Sequence, residues 1–323
     1  MKYNPYLGHD SQLCCIEEVR LVGGKGDGMR LLQVRNATGL EMTICPDRCA
    51  DIYRLIFKGE SMGYFSPSGY VSPTYYNREG DNFLRCFTAG FLTTCGLTNA
   101  GNPSVDEGEA LPTHGSIQAA PCERLWWTEE DDCFLVHAII PDGQIFEEKL
   151  ELHRTIRIDK WANSFAITDT VVNKGHAVTP LMLLYHMNIG YPLLSESTVL
   201  DINSTQVLPR NEFAAKDLDN WNKITSPTPG IPEQCYYHKF EKTGEATVYN
   251  PDIEKGLTIH FDPEKLNHFT QWKMMGCREY VLGLEPGNCH PDGRPVMRSQ
   301  GQLKFLNPGE SETYCVSVEL FEK

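Results

Sequence analysis

Four short stretches place proton-carrying, amide or cationic side chains where the surrounding pattern calls for burial. In 181–190 (LMLLYHMNIG) both faces of an extended segment are apolar, yet a two-residue period puts Leu184, His186 and Asn188 on one of them. A histidine or asparagine inside such a run needs partners, because an unpaired buried polar group costs about 1–3 kcal/mol. The plain alternative is a core histidine satisfied by its neighbours. In 279–290 (EYVLGLEPGNCH), Val281, Gly283 and Glu285 share a face, and Pro286-Gly287 sets Glu285 at a sheet rim. Desolvation there raises a carboxyl pKa towards that of a working base; a solvated strand-end glutamate is the other reading. In 111–118 (LPTHGSIQ), His114 precedes a glycine at the entry from loop to strand. In 81–86 (DNFLRC), Arg85 sits in an apolar run that continues through Phe87. A buried arginine meets a carboxylate or an oxygen-rich ligand, inside the protein or bound to it.

Weaker signals surround these. Arg48, in the turn Pro46-Asp47-Arg48, is either solvated or aimed into a cleft. His238 follows the longest irregular stretch, and Gln271-Trp272 is a polar–aromatic pair of the kind that sugar sites use. There is no G-x-S-x-G elbow, no H-E-x-x-H helix and no dinucleotide fingerprint. Gly23-Gly24-Lys25-Gly26-Asp27-Gly28 lacks the order of a phosphate loop and reads as a hairpin turn. What remains, histidine plus carboxylate, is an acid–base toolkit that calls for no cofactor. The 12 cysteines include no C-x2-C and read as free thiols of a reducing compartment rather than a metal site.

The chain of 323 residues carries a formal charge of −14. Such an acidic chain makes a poor nucleic-acid binder, since phosphate must be neutralised by Lys and Arg. No apolar run approaches the ~20 residues of a membrane span. The N-terminus, Met1-Lys2-Tyr3-Asn4-Pro5, lacks a basic run followed by an apolar stretch. A cytoplasmic protein is expected, monomeric or homodimeric, without nucleic-acid or membrane partners.

The elements that must position these residues follow a period of two. Strands are expected at 13–22, 30–35, 40–45, 51–57, 134–140, 145–158, 163–173, 180–189, 198–202, 246–249, 256–261, 279–285, 301–305 and 312–321. Turns fall at 36–39, Lys58-Gly59, Pro141-Asp142-Gly143, 173–175 and Pro308-Gly309. A short helix over 211–223 is the one helical candidate. Strand after strand without regular helices argues for an all-β sandwich or barrel. One domain over 1–323 is expected, with residues 1–12 as an N-terminal arm. Three irregular stretches, 60–82, 96–113 and 203–235, carry aromatics (Tyr70, Tyr75, Tyr76, Trp221) and read as ordered loops over a concave face.

With these residues in hand, the chain resembles the galactose mutarotase-like superfamily of aldose 1-epimerases. The likeness rests on His114-Gly115, Tyr185-His186-x-Asn188 and Leu284-Glu285-Pro286, with the two histidines 72 residues apart and Glu285 a further 99 along. Pro46-Asp47-Arg48, Thr94-Cys95-Gly96-Leu97, Thr270-Gln271-Trp272-Lys273 and Tyr280 to Gly293 resemble an aldose 1-epimerase-like subfamily more closely. The resemblance implies a β-supersandwich with a sugar cleft on strongly curved antiparallel sheets. It implies an isomerase of carbohydrate metabolism that interconverts the α and β anomers of a free aldose. Glu285 would be the base, His186 the acid at the ring oxygen, and His114 its assistant. Arg85 would bind sugar hydroxyls, with Arg48, Asn188, His238 and Gln271 completing the substrate contacts. The family's substrate-binding aspartate has four candidate counterparts: Asp217, Asp219, Glu233 and His238. The sugar stays open, with a uronate, a deoxy sugar or another modified hexose among the choices. Two other readings stand beside this one. The first is a non-catalytic carbohydrate-binding protein. The second is a different sugar epimerase or isomerase, with His114, His186, His238, Glu285 and His290 as candidate metal ligands.

Overall fold

The computed structural model describes residues 4–323, the side chain of Asp81 excepted. Of the expected N-terminal arm, residues 1–3 lie outside the described residues, and Asp10–Gln12 form a single 3-10 turn. The rest is built almost wholly from antiparallel strands. A five-stranded sheet runs in chain order through Cys15–Arg20, Arg30–Arg35, Leu40–Cys45, Asp51–Phe57 and Glu60–Ser61. An eight-stranded sheet runs Arg124–Glu129, Cys133–Gly143, Lys149–Asp159, Ser164–Asn173, Ser311–Glu322, Lys255–Phe261, Gly244–Asn250, Val199–Ile202. A third sheet runs Gln206–Pro209, Gln234–Lys239, His268–Gly276, Glu279–Gly287, Thr179–Ile189, Lys304–Leu306, and Leu92–Leu97 also pairs with Thr179–Ile189. The three antiparallel sheets bear out the all-β sandwich that the strand pattern predicts and agree with the curved sheets that the resemblance implies.

One apolar core joins the three sheets. Leu150, Leu152, Ile156 and Ile158 of the second sheet meet Leu181, Leu183, Tyr185 and Met187 of the third and Leu32, Val34 and Ile44 of the first. The inward row of Lys149–Asp159 is broken by Arg154, whose side chain is fully buried. Its guanidinium donates to both oxygens of Asp169 (2.9 and 2.7 Å), to Asp51 Oδ1 (3.0 Å) and to Thr94 Oγ1 (2.8 Å). Tyr185 OH donates to Asp169 Oδ2 (3.0 Å), so the network ties all three sheets together directly beneath His186. A buried charge survives only when paired in this way.

Several expected boundaries shift. Pro141-Asp142-Gly143 is not a turn: Cys133–Gly143 runs through it and the chain reverses at 144–148, with Gln144 N donating to Glu148 O. Pro141 is tolerated because the neighbouring strand Arg124–Glu129 pairs no further than Ile139, leaving that edge free of ladder bonds. The helix expected over 211–223 is a five-residue α-helix, Glu212–Lys216, followed by a 3-10 turn. All 12 cysteines are free, and most are buried as small apolar side chains. Among the described residues no helix is long and apolar enough to cross a membrane.

Candidate active site

The site begins with strand register. Leu184 pairs with Gly287 and Met187 with Leu284, which sets His186 directly opposite Glu285. Pro286, lacking an N–H, interrupts the ladder at this point. The same row continues sideways through Thr270 and Tyr237 on one side and Thr93 on the other. One face of a curved sheet thus carries a line of polar groups across five strands.

His186 Nε2 lies 3.2 Å from Glu285 Oε1, with the two side chains 6% and 2% exposed. The approach is close but not aligned as a hydrogen bond: Glu285 Oε1 and His186 Nδ1 have no hydrogen-bond partner among the described residues. Burial, opposed in part by the Arg210 charge, pushes the Glu285 carboxyl up to about 8. Burial, helped by the neighbouring His114, pushes His186 down to about 3. The pair therefore holds one titratable proton at neutral pH, and it rests on Glu285.

His114 comes from the second long loop. Its backbone is left-handed (φ 55°) and its ring lies edge-to-face with His186, centroids 5.6 Å apart. Gly101 N donates to His114 Nδ1 (3.3 Å). Burial and the Arg210 charge hold the ring neutral, down to about 4, so its proton sits on Nε2. The loop is held by close backbone crossings. At Gly115 (φ +73°) a Cβ would meet Gly96 O at 1.9 Å, and at Gly101 (φ +94°) it would meet Pro291 O at 1.9 Å. Ser116 Oγ donates to Asp142 Oδ1 (2.8 Å), anchoring the same loop to the second sheet.

These groups open into a cavity of about 240 Å³. Its lining comes from Phe83, Leu84 and Phe87 just past the first long stretch, Asn102, Thr113 and His114 in and at the end of the second, and Arg210 and Glu233 in the third. Trp272 and Thr270 complete the floor. Trp272 Nε1 donates to Glu233 Oε2 (2.7 Å). Arg210 is fixed by Asp292 Oδ1 (Nε, 3.0 Å) and Pro291 O (3.0 Å), and Tyr237 OH donates to the same Asp292 oxygen (2.6 Å).

Of the residues singled out by sequence, His114, His186 and Glu285 converge. Arg85, Arg48, Asn188, His238 and Gln271 do not line the cavity. Arg85, expected in a buried apolar run, is exposed at the end of the 3-10 helix Gly80–Arg85. The run has a helical period there, so Phe83 turns inward while Arg85 turns out. Arg48 is buried but spent on carbonyls, donating to Gln118 O (2.7 Å), Val71 O (3.0 Å) and Cys86 O (3.2 Å). Asn188 lies on the His186 face one row deeper, donating to His186 O (3.0 Å). Gln271 and His238 point to the opposite side of the sheet. There His238 Nε2 meets Gln271 Oε1 (3.1 Å) and Gln271 Nε2 donates to Trp221 O (2.8 Å). Adjacent residues on a strand face opposite ways, so only Trp272 of the Gln271-Trp272 pair can reach the cleft.

Arg210 carried no signal that sequence reasoning used, because it lies in a loop just past the strand Gln206–Pro209, and Thr270 entered only as part of the motif Thr270-Gln271-Trp272-Lys273. Of the four acidic or histidine candidates for the missing substrate contact, Glu233 alone lines the cavity. Among the described residues, the ligand atoms of His114, His186 and Glu285 do not gather within metal-binding reach of one another. Only those of Glu130, Asp132 and Cys133, on a surface hairpin, lie that close.

Residues 26–320 match a protein-family model described as Domain of unknown function (DUF4432). No curated protein matches the chain significantly. Among solved structures, a protein of Klebsiella pneumoniae subsp. pneumoniae MGH 78578, provisionally named an aldose 1-epimerase, is 26% identical. That match covers 95% of this chain and 83% of the other, with a TM-score of 0.90. A galactose mutarotase-like protein of Clostridium acetobutylicum is 15% identical over 97% of this chain and 100% of its own, with a TM-score of 0.68. A galactose 1-epimerase of Lactobacillus acidophilus NCFM is 14% identical over 96% and 99%, with a TM-score of 0.62. The chain belongs to the DUF4432 family, within the galactose mutarotase-like superfamily.

Proposed function

We propose that this protein is a cofactor-free sugar isomerase of the aldose 1-epimerase type, with Glu285 and His186 as its base and acid. The observation that carries the reading is the buried, unaligned approach of His186 Nε2 to Glu285 Oε1 at 3.2 Å on the wall of an open cleft. Glu285 Oε1 and His186 Nδ1 have no hydrogen-bond partner among the described residues, so the pair is free to engage a ligand. The names of the structural neighbours point the same way.

The chemistry follows from one shared proton. The proton passes from Glu285 to His186, and the Arg210 charge favours the carboxylate this leaves behind. Glu285 then takes the proton of the sugar's O1 hydroxyl while His186 gives its proton to the ring oxygen. The C1–O5 bond breaks and C1=O1 forms. Rotation about C1–C2 turns the other carbonyl face to O5. On reclosure O5 attacks C1, His186 takes back the proton, and Glu285 returns one to O1. His114, neutral with its proton on Nε2, donates a hydrogen bond to a sugar oxygen at the same centre. Glu233 and Arg210 address the remaining hydroxyls, and Trp272 offers an apolar face to the ring. Each positioned acid or base typically contributes about 10²–10⁴-fold.

The test is proton NMR of the anomeric region, with the protein added to freshly dissolved single anomers of an aldose panel. Faster equilibration that is lost in both Glu285→Gln and His186→Asn supports the reading. Acceleration that survives both substitutions, or none with any sugar, sinks it.

A further inference from the structure

The cavity has two chemically different sides, and His186 divides them. Beyond Glu285, towards Gln234–Lys239, lie Thr270, Trp272, Glu233 and Arg210. Elsewhere in the lining the histidines face carbon. Phe87 lies 5.6 Å from the His186 ring, Phe83 lies 5.2 Å from the His114 ring, and the two phenyl rings are 4.9 Å apart. Leu84 extends this wall to the rim, where it is 62% exposed. The wall is built rather than loose. Arg48 holds Cys86 O, Ser66 Oγ donates to Phe87 O, and Ser68 Oγ donates to Leu84 O (3.2 Å). Of the other polar lining residues, Thr113 gives its hydroxyl to Gly80 O (3.2 Å) and Asn102 is exposed.

A pyranose ring presents its atoms in a fixed order. O1 lies on one side of the ring oxygen, and the substituent on C5 lies on the other. Resting on the assignment of Glu285 to O1 and the histidines to the ring oxygen, this order sends the C5 substituent into the phenyl wall. The hydroxyls of C2 to C4 face Arg210 and Glu233. We infer that the cleft selects an aldose with an apolar C5 substituent, a 6-deoxyhexose, through Phe83, Leu84 and Phe87. A methyl group removes apolar surface from water there, whereas a hydroxymethyl group buries a hydroxyl against carbon.

The experiment measures anomer equilibration by the full-length protein with matched pairs that differ at C6 alone. These are D-fucose and D-galactose, L-rhamnose and L-mannose, and D-quinovose and D-glucose, with D-galacturonate and D-glucuronate as an anionic arm. A 6-deoxy member favoured by about 10–100-fold in kcat/KM is expected, the range over which an apolar pocket rejects an added hydroxyl. Leu84→Gln, at an exposed position that folding does not need, narrows that ratio several-fold, and Phe87→Asn narrows it further. Matched members within about twofold of each other in every accelerated pair overturn the inference and leave the mutarotase reading standing. Preference for the uronates, or a ratio unmoved by both substitutions, overturns it equally. If no sugar is accelerated, the mutarotase reading falls and takes this inference with it.

Discussion

His186 and Glu285 face each other across neighbouring strands with Nε2 and Oε1 3.2 Å apart, both in a cleft that pushes each towards its neutral form. The pair holds one proton from about pH 3, where His186 gains a second, to about 8, where Glu285 loses the first. Above about 8 no proton is left for the ring oxygen. The kcat/KM profile should therefore be flat through neutrality and fall about tenfold per pH unit on the alkaline side alone. A stopped-flow polarimetric profile from mildly acidic to pH 10 checks this. An acid limb near the ordinary histidine pKa would show that His186 is not held neutral.

The same burial makes a stability prediction with a definite sign. Burial pushes Glu285 up to about 8 in the folded chain, against an ordinary carboxyl value of 4.5. Between those limits the folded state binds more protons than the unfolded one, so stability falls as pH rises through the window. For His114 and His186, lowered from 6.5 to about 4 and about 3, stability instead falls as pH drops below 6.5. Glu285→Gln removes the first effect and leaves the second. Its Tm relative to the natural protein should rise from pH 5 to pH 9, as measured by calorimetry in matched buffers. An unchanged difference would mean that Glu285 is not a buried acid.

Sequence alone made the His186–Glu285 pair legible because histidine and glutamate interrupt strands that are otherwise apolar on both faces. Arg85 misled because a 3-10 helix was read with a strand period. Gln271 misled because it neighbours Trp272, although neighbours in a strand point apart. Leu92–Leu97 (LTTCGL) is buried on both faces and shows no alternation. His268–Gly276 buries Thr270, Gln271 and Lys273 through tertiary partners that no local pattern encodes. Arg210 and Glu233 reach the cleft by the folding of a long loop, a relationship invisible to periodicity.

The Arg210 charge acts on Glu285. Its guanidinium favours the Glu285 carboxylate and disfavours protonated His114. Without that charge the Glu285 pKa rises further. Arg210→Gln should shift the alkaline limb of the rate profile to higher pH, while a neutral sugar also binds more weakly through the lost donors. Arg210→Lys should restore the limb but not the binding, since ammonium keeps the charge and loses the planar fork. A limb that stays in place in Arg210→Gln would remove Arg210 from this role.

The buried network under His186 should behave as a structural unit. Arg154→Met leaves Asp51 and Asp169 without their shared cation, and breaking a buried pair from one side costs about 3–5 kcal/mol. Chemical denaturation followed by intrinsic fluorescence would read that loss. Asp51→Asn should cost less, because burial already pushes its carboxyl up to about 6 and an amide oxygen can still accept from Thr94. Equal costs for the two variants would contradict the arrangement of the network.

Gly283 separates the Glu285 carboxyl from Trp272. It lies in the row beside Glu285, opposite Trp272 on one strand and Asn188 on the other. A Cβ there would stand 2.5 Å from Glu285 Oε1 and 3.1 Å from Trp272 Cβ. The first of these atoms ends a flexible side chain, so the backbone can survive while the carboxyl swings away from His186. Gly283→Ala should therefore lower kcat much more than it lowers stability. A displacement of about 1 Å at a reacting group can cost on the order of 10²-fold in rate. Paired measurements of kcat and Tm decide the point. A variant that loses Tm in proportion to rate would show that the glycine serves packing alone. One that keeps full rate would show that the carboxyl need not sit where the strand register puts it.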